Sequence, residues 1–120
     1  MKSAKEEITV FLRKFKEVAT SNGNKSFTIC CRPEYKITIA HLGITVGQTK
    51  QEILNLTYED YMNGPEQDHQ KKNSKIWEFG IILNGEEIYI KLSDDFSEGV
   101  AICISFHLAG YPINCPYKNS

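Results

Sequence analysis

The chain has 120 residues, 41% of them hydrophobic and 24% charged, and a formal net charge of -1. That length buries roughly two thirds of the unfolded surface in one domain spanning positions 1–120, and the near-neutral charge excludes the global basic field of proteins held to nucleic acid or membranes by bulk electrostatics. No apolar run approaches the ~18 residues of a membrane span, and the N-terminus lacks the uninterrupted apolar core of a signal peptide, so a cytoplasmic protein with no membrane partner is expected.

The N-terminal stretch reads as a helix. Ser3 and Glu6 have the spacing of a capping box, and Ile8, Phe11, Leu12, Phe15, Val18 and Ala19 then recur with the helical period up to the turn signal at 21–24. Lys5, Arg13 and Lys16 on its opposite side read as a solvated face. Residues 26–31 are β-branched, aromatic and short, as in a strand, with Pro33 closing it. The stretch 34–43 reads two ways: Ile37 and Ile39 alternate as in a strand, whereas Tyr35, Ile39 and Leu42 fit a helix that stops at Gly43. Thr45 is placed to cap a further helix carrying Ile53, Leu54 and Leu56, and Thr57, Glu59 and Asp60 open a short helical turn.

Positions 63–75 contain no apolar residue except Pro65 and hold His69, Lys71, Lys72 and Lys75, the densest basic stretch in the chain. A polar loop of this length inside a compact domain is usually functional or mobile.

The clearest local signal follows. Asn84-Gly85 accepts the positive φ angles of a two-residue type I′ turn. With that turn, Trp77 faces Leu92, Phe79 faces Ile90 and Ile81 faces Ile88, which defines a core face. The same register sets Glu78 opposite Lys91 and Gly80 opposite Tyr89, leaving a shelf beside the tyrosine ring. A third antiparallel strand is predicted with Val100, Ile102, Ile104 and Phe106 toward the core and Ala101, Cys103, Ser105 and His107 on the polar face. The expected fold is α+β, with N-terminal helices packed on one side of a small antiparallel sheet. The other side displays Glu78, Tyr89, Lys91, Ser105 and His107. The basic loop and the Pro-containing tail 108–117 are placed to wall its two ends. A cross-strand Glu–Lys pair on an exposed face is worth a few tenths of a kcal/mol and demands no function by itself.

Cys30, Cys31, Cys103 and Cys115 suit neither a zinc site nor a disulfide framework and read as buried free thiols. Metal ligation by His69 and His107 lacks partners at ligand spacing, so no metal and no cofactor is expected. His41 lies away from the sheet residues and reads as structural or surface.

In order along the chain, "LGIT", "LNLTYEDYMNGPE", "IWEFG", "EIYIKL" and "ICISFH" together resemble the MqsR (motility quorum-sensing regulator) family of bacterial toxins. The order and spacing of these segments carry the resemblance, most specifically from Leu56 to His107. It implies a RelE-like α+β fold and a metal-independent endoribonuclease acting on messenger RNA, the toxin of a type II toxin–antitoxin system. It also implies a cognate antitoxin, commonly with a zinc-binding module. The family's catalytic tyrosine falls on Tyr89. Glu78 stands where its best-known member has glutamine, His107 where that member has lysine, and Asn63 near a further family lysine. Glu78, Tyr89, Lys91 and His107 are therefore the expected catalytic group, with His69, Lys71, Lys72 and Ser105 binding substrate. The competing expectation is a non-catalytic RNA- or protein-binding module that uses the same face.

Overall fold

In the computed structural model, which describes residues 2–119, the elements are α1 (Lys5–Ala19), a 3-10 turn (Gly23–Ser26), β1 (Phe27–Ile29), α2 (Pro33–Leu42), α3 (Val46–Leu54), a second 3-10 turn (Tyr58–Asp60), β2 (Tyr61–Gln67), β3 (Lys75–Leu83), β4 (Glu86–Ser93) and β5 (Ala101–Leu108). Three helices and a five-stranded sheet make this an α+β fold. The strand order is β1-β5-β4-β3-β2. The sheet is mixed where an antiparallel one was expected, because β1 runs parallel to β5, Phe27 beside Ala101 and Ile29 beside Cys103. A parallel partner so distant in sequence leaves no local trace, unlike a hairpin.

The hairpin adopts the predicted register throughout, from Ile76 opposite Ser93 to Leu83 opposite Glu86. Asn84 and Gly85 take φ of 53° and 79°, the left-handed values this turn demands. Trp77, Phe79, Ile88, Ile90 and Leu92 are buried beneath the helices. The Phe11 ring of α1 stacks on Trp77 at 4.5 Å between centroids and 3° between planes. Phe15 meets Phe27 edge-on at 5.7 Å, and Tyr35 of α2 meets Phe106 the same way at 6.1 Å. Each buried Phe is worth about 1.5–3 kcal/mol in transfer free energy, so this aromatic seam is the principal tie between the helical layer and the sheet.

Several local expectations change. The first helix is capped at Ala4, whose backbone N–H donates to Glu7 at 2.9 Å. Ser3 is not the cap; it is buried, and its hydroxyl donates to the Gly64 carbonyl at 2.9 Å. The stretch 34–43 is helical, with Pro33 in the first turn, where its missing N–H costs nothing, and Gly43 ending it at φ 70°. Thr45 caps α3 as expected, and Gln48 completes its capping box. The polar stretch 63–75 is less of a loop than its composition suggests. Residues through Gln67 form an edge strand against β3, with register shifts on both sides of Asn63. Pro is tolerated there because an edge strand leaves one side unpaired.

The largest change is the phase of β5. Tyr89 faces His107 and Lys91 faces Ser105, but Leu92 faces Cys103, so Ile104 is an extra residue in a bulge. Phe106 points into the core as predicted. N-terminal to the bulge the faces exchange: Ala101 and Cys103 are fully buried, while Ile102 and Ile104 are only partly covered. Burial pushes the Cys103 thiol well above its ordinary range. All four cysteines are free, but Cys103 alone of them is buried, as expected of all; Cys30 and Cys115 are half-buried and Cys31 is exposed. Among the described residues no helix is long and apolar enough to cross a membrane.

Candidate functional site

The site is built by the strand pairing. One row across the sheet reads Gly80, Tyr89, His107, and the next reads Asn63, Glu78, Lys91, Ser105. A simple β4–β5 hairpin would have left His107 on the order of 13 Å along the strand from Lys91, four residues at strand rise. The observed register puts it directly across from Tyr89, with ring centroids 5.3 Å apart. The expected group of Glu78, Tyr89, Lys91, His107 and Ser105 therefore forms one cluster on the face away from the helices.

The contacts inside the cluster differ from a surface ion pair. Glu78 makes no salt bridge with Lys91. Its carboxylate accepts the hydrogen bond of the Tyr89 hydroxyl, and the Lys91 ammonium lies 5.6 Å from the centre of the Tyr89 ring. Partial burial first, and the adjoining Glu78 carboxylate second, push the Tyr89 phenol far above its ordinary value. The geometry agrees: a carboxylate only accepts, so the Tyr89 hydroxyl is the donor in this contact. The His107 ring places Nδ1 2.8 Å from the Leu108 carbonyl. A carbonyl only accepts, so Nδ1 carries the proton and Nε2 is the atom left to work.

The shelf opposite Tyr89 is occupied by other side chains. A Cβ built on Gly80 would lie 2.8 Å from the Met62 sulfur and 3.0 Å from Cδ1 of Ile113, so these two fill the notch. Each end of the cluster opens into a cavity. At the Lys91 end, a cavity of about 400 Å³ is lined by Lys91, His69, Lys71 and Arg32 above a floor that includes Ile102 and Ile104. At the His107 end, one of about 220 Å³ is lined by Tyr89, His107, Met62, Tyr111 and Ile113. The two predicted walls, from the basic stretch and from the tail, are therefore in place.

The structure brings His69 and Lys71 to the site, but Lys72 is exposed and lines neither cavity. Lys71 is also paired with Asp95 at 3.1 Å; two hydrogen bonds from Ser97 first, and the Lys71 contact after them, hold Asp95 down to about 2. Arg32 was not anticipated, because it reaches the sheet only through the parallel β1–β5 pairing. Ile102 and Ile104 were assigned to the core, and the bulge moves them to the cavity floor. Lys2 places its ammonium 3.3 Å from the Asn63 side-chain oxygen and 2.5 Å from the Met62 carbonyl, a cation beside a position where the resemblance implied one and the sequence has none.

No group of three or more His, Cys, Asp or Glu side chains among the described residues is arranged to hold a metal ion. No family model matches the chain, and no curated protein or solved structure matches it.

Proposed function

We propose that this protein is a metal-independent endoribonuclease of RelE-like fold and MqsR type, a cytoplasmic toxin that cleaves messenger RNA and is held in check by an antitoxin, itself commonly a zinc-binding protein. One observation carries the reading. A carboxylate, a phenol that donates to it, an ammonium and an imidazole whose Nδ1 is fixed by a carbonyl converge, half-buried, on the sheet face away from the helices and between two cavities.

RNA supplies its own nucleophile. Glu78 takes the proton of a 2′-hydroxyl as its oxygen forms a bond to phosphorus. The bond from phosphorus to the 5′-oxygen breaks, and protonated His107 delivers a proton from Nε2 to that leaving oxygen. The products are a 2′,3′-cyclic phosphate and a free 5′-hydroxyl. Lys91 stabilises the charge that builds on the phosphorane, while the Tyr89 hydroxyl, whose single proton is given to Glu78, orients that carboxylate. The cavity with Lys91, Arg32 and His69 receives a neighbouring phosphate, and its isoleucine floor offers an apolar surface to a base.

The decisive test is incubation of the purified protein with single-stranded RNA in EDTA, paired with expression in bacteria lacking the antitoxin. Cleavage to cyclic-phosphate ends and growth arrest are expected. RNA binding without cleavage, together with normal growth, would establish a binding module instead. His41 supplies the control. It lies in α2, with Nε2 2.6 Å from Glu86 and its side chain about half exposed, beside the hairpin turn and outside the cluster. His41→Gln is expected to leave the cleavage rate within about threefold of wild type, because it touches no group that changes charge in the transition state. A deep loss would overturn the placement of the site.

A further inference from the structure

The smaller cavity has features that the acid–base chemistry does not use. Its walls are the Tyr89 and His107 rings on one side and the segment 109–113 on the other, with Met62 and Ile113 filling the side over Gly80. Both ends of that segment are tied to one residue. The Ala109 N–H donates to the Glu87 carbonyl at 2.9 Å, and the Ile113 N–H donates to the Glu87 carboxylate at 3.4 Å. Tyr111 is thereby presented on a pinned arch at the cavity rim, and it is 76% exposed, the most exposed large apolar residue described. A large aromatic side chain held in solvent beside an apolar hollow is the arrangement single-stranded nucleic-acid binders use to receive a base.

We propose that this cavity is a nucleobase subsite, in which the base next to the scissile phosphate inserts beside Met62 and Ile113 and stacks on Tyr111. The identity of the polymer rests on the nuclease reading; the subsite itself rests on the cavity, the pinned arch and the exposed ring. Position favours a base over any other fragment. The cavity shares Tyr89 and His107 with the reacting cluster, so a base seated in it leaves its ribose and phosphate within reach of Glu78 and His107 Nε2. Size agrees: about 220 Å³ lies below the roughly 300 Å³ at which pockets for drug-sized ligands begin, and so suits one base and not a stacked pair. The walls are mostly apolar, so recognition works by shape and stacking, and selectivity at this position is graded.

The test uses a short RNA with 2′-O-methyl groups throughout, which cannot be cleaved, and a single 2-aminopurine moved along successive positions. With wild type, one position is expected to show saturable quenching as its base stacks. Tyr111→Ala is expected to weaken binding of that oligonucleotide by about tenfold or more, on the scale of one lost base–aromatic stack, and Tyr111→Trp to restore it. On cleavable RNA, Tyr111→Ala is expected to raise KM and leave kcat nearly unchanged. Quenching that is insensitive to Tyr111→Ala, or absent from every position of a bound oligonucleotide, overturns the subsite. If wild type still cleaves in that case, the nuclease reading stands alone. Position-specific quenching lost in Tyr111→Ala, in a protein that cleaves nothing, establishes the subsite and overturns the nuclease. Failure to bind the oligonucleotide at all overturns the subsite, and the EDTA cleavage assay then judges the nuclease separately.

Discussion

Glu78→Gln is expected to slow RNA cleavage by roughly a hundredfold or more while leaving the protein folded. The substitution conserves shape, and the glutamine oxygen still accepts the bond from the Tyr89 hydroxyl, so the hairpin register and the tyrosine's position are retained. What disappears is a proton acceptor, and general acid–base contributions are typically worth about 10²–10⁴-fold. Stability should change by less than about 1 kcal/mol, since no salt bridge among the described residues involves Glu78 and the residue is only half-buried. Cleavage by purified wild type and variant in EDTA, with circular dichroism as the folding check, reads both quantities. Full activity in Glu78→Gln would mean that an amide serves as well as a carboxylate here. The base would then be His107 through Nε2, already poised as an acceptor by the bond from Nδ1 to Leu108.

The largest effect on stability is expected at Gly64. It sits in edge strand β2 with φ of 111°, a conformation that side-chain-bearing residues rarely adopt, and an added Cβ would lie 2.6 Å from the Ile76 carbonyl oxygen and 3.1 Å from the Trp77 Cα. Both obstacles are backbone of the adjacent strand, so neither can swing aside. The Gly64 carbonyl also accepts from the Ser3 and Tyr61 hydroxyls, which ties the start of α1 to the sheet edge. Backbone strain of this kind costs about 1–3 kcal/mol, and separating β2 from β3 adds to it. Gly64→Ala is expected to lose roughly 3 kcal/mol or more, a large share of the 5–15 kcal/mol that holds a typical domain. Gly85 gives the comparison. Its φ is 79°, but nothing lies within 4 Å of the added atom, so Gly85→Ala should cost only about 1–2 kcal/mol of left-handed strain. Denaturant midpoints of the two variants measure the difference; equal losses would mean that β2 does not pack as closely on β3 as described.

How far the sequence revealed this arrangement depended on how local each signal was. The hairpin was legible residue by residue, because Asn84-Gly85 fixes the turn and a one-residue slip would have put Glu78 and Lys91 into the core. That register alone placed Glu78, Tyr89 and Lys91 on one face. β5 was legible only from Ser105 onward. "VAICISFH" alternates acceptably in either phase, since Ala101 and Cys103 fill a core as readily as Ile102 and Ile104, and the bulge that decides between them is set by contacts with β4. β2 was hidden by its own composition: Asn63, Gly64 and Pro65 read as a turn, and only pairing with β3 makes them a strand. Arg32 and Tyr111 enter the site from segments whose positions depend on long-range closure, the first through β1 and the second through the arch pinned on Glu87.

That dependence on closure between distant parts of the chain has a temporal side. The Leu108 N–H bonds to Thr38, 70 residues away, and the Tyr117 hydroxyl bonds to the Ser3 carbonyl across 114 residues. Loops of this size are entropically slow to close, and a growing chain folds from its N-terminus as it is synthesised. While a ribosome is still adding residues short of position 108, the chain can hold its helices and its hairpin but has no His107 to set against Tyr89. The cluster of Glu78, Tyr89, Lys91 and His107 is therefore assembled only as synthesis passes β5; on the proposed nuclease reading, a nascent molecule would be incomplete while still on the message that encodes it.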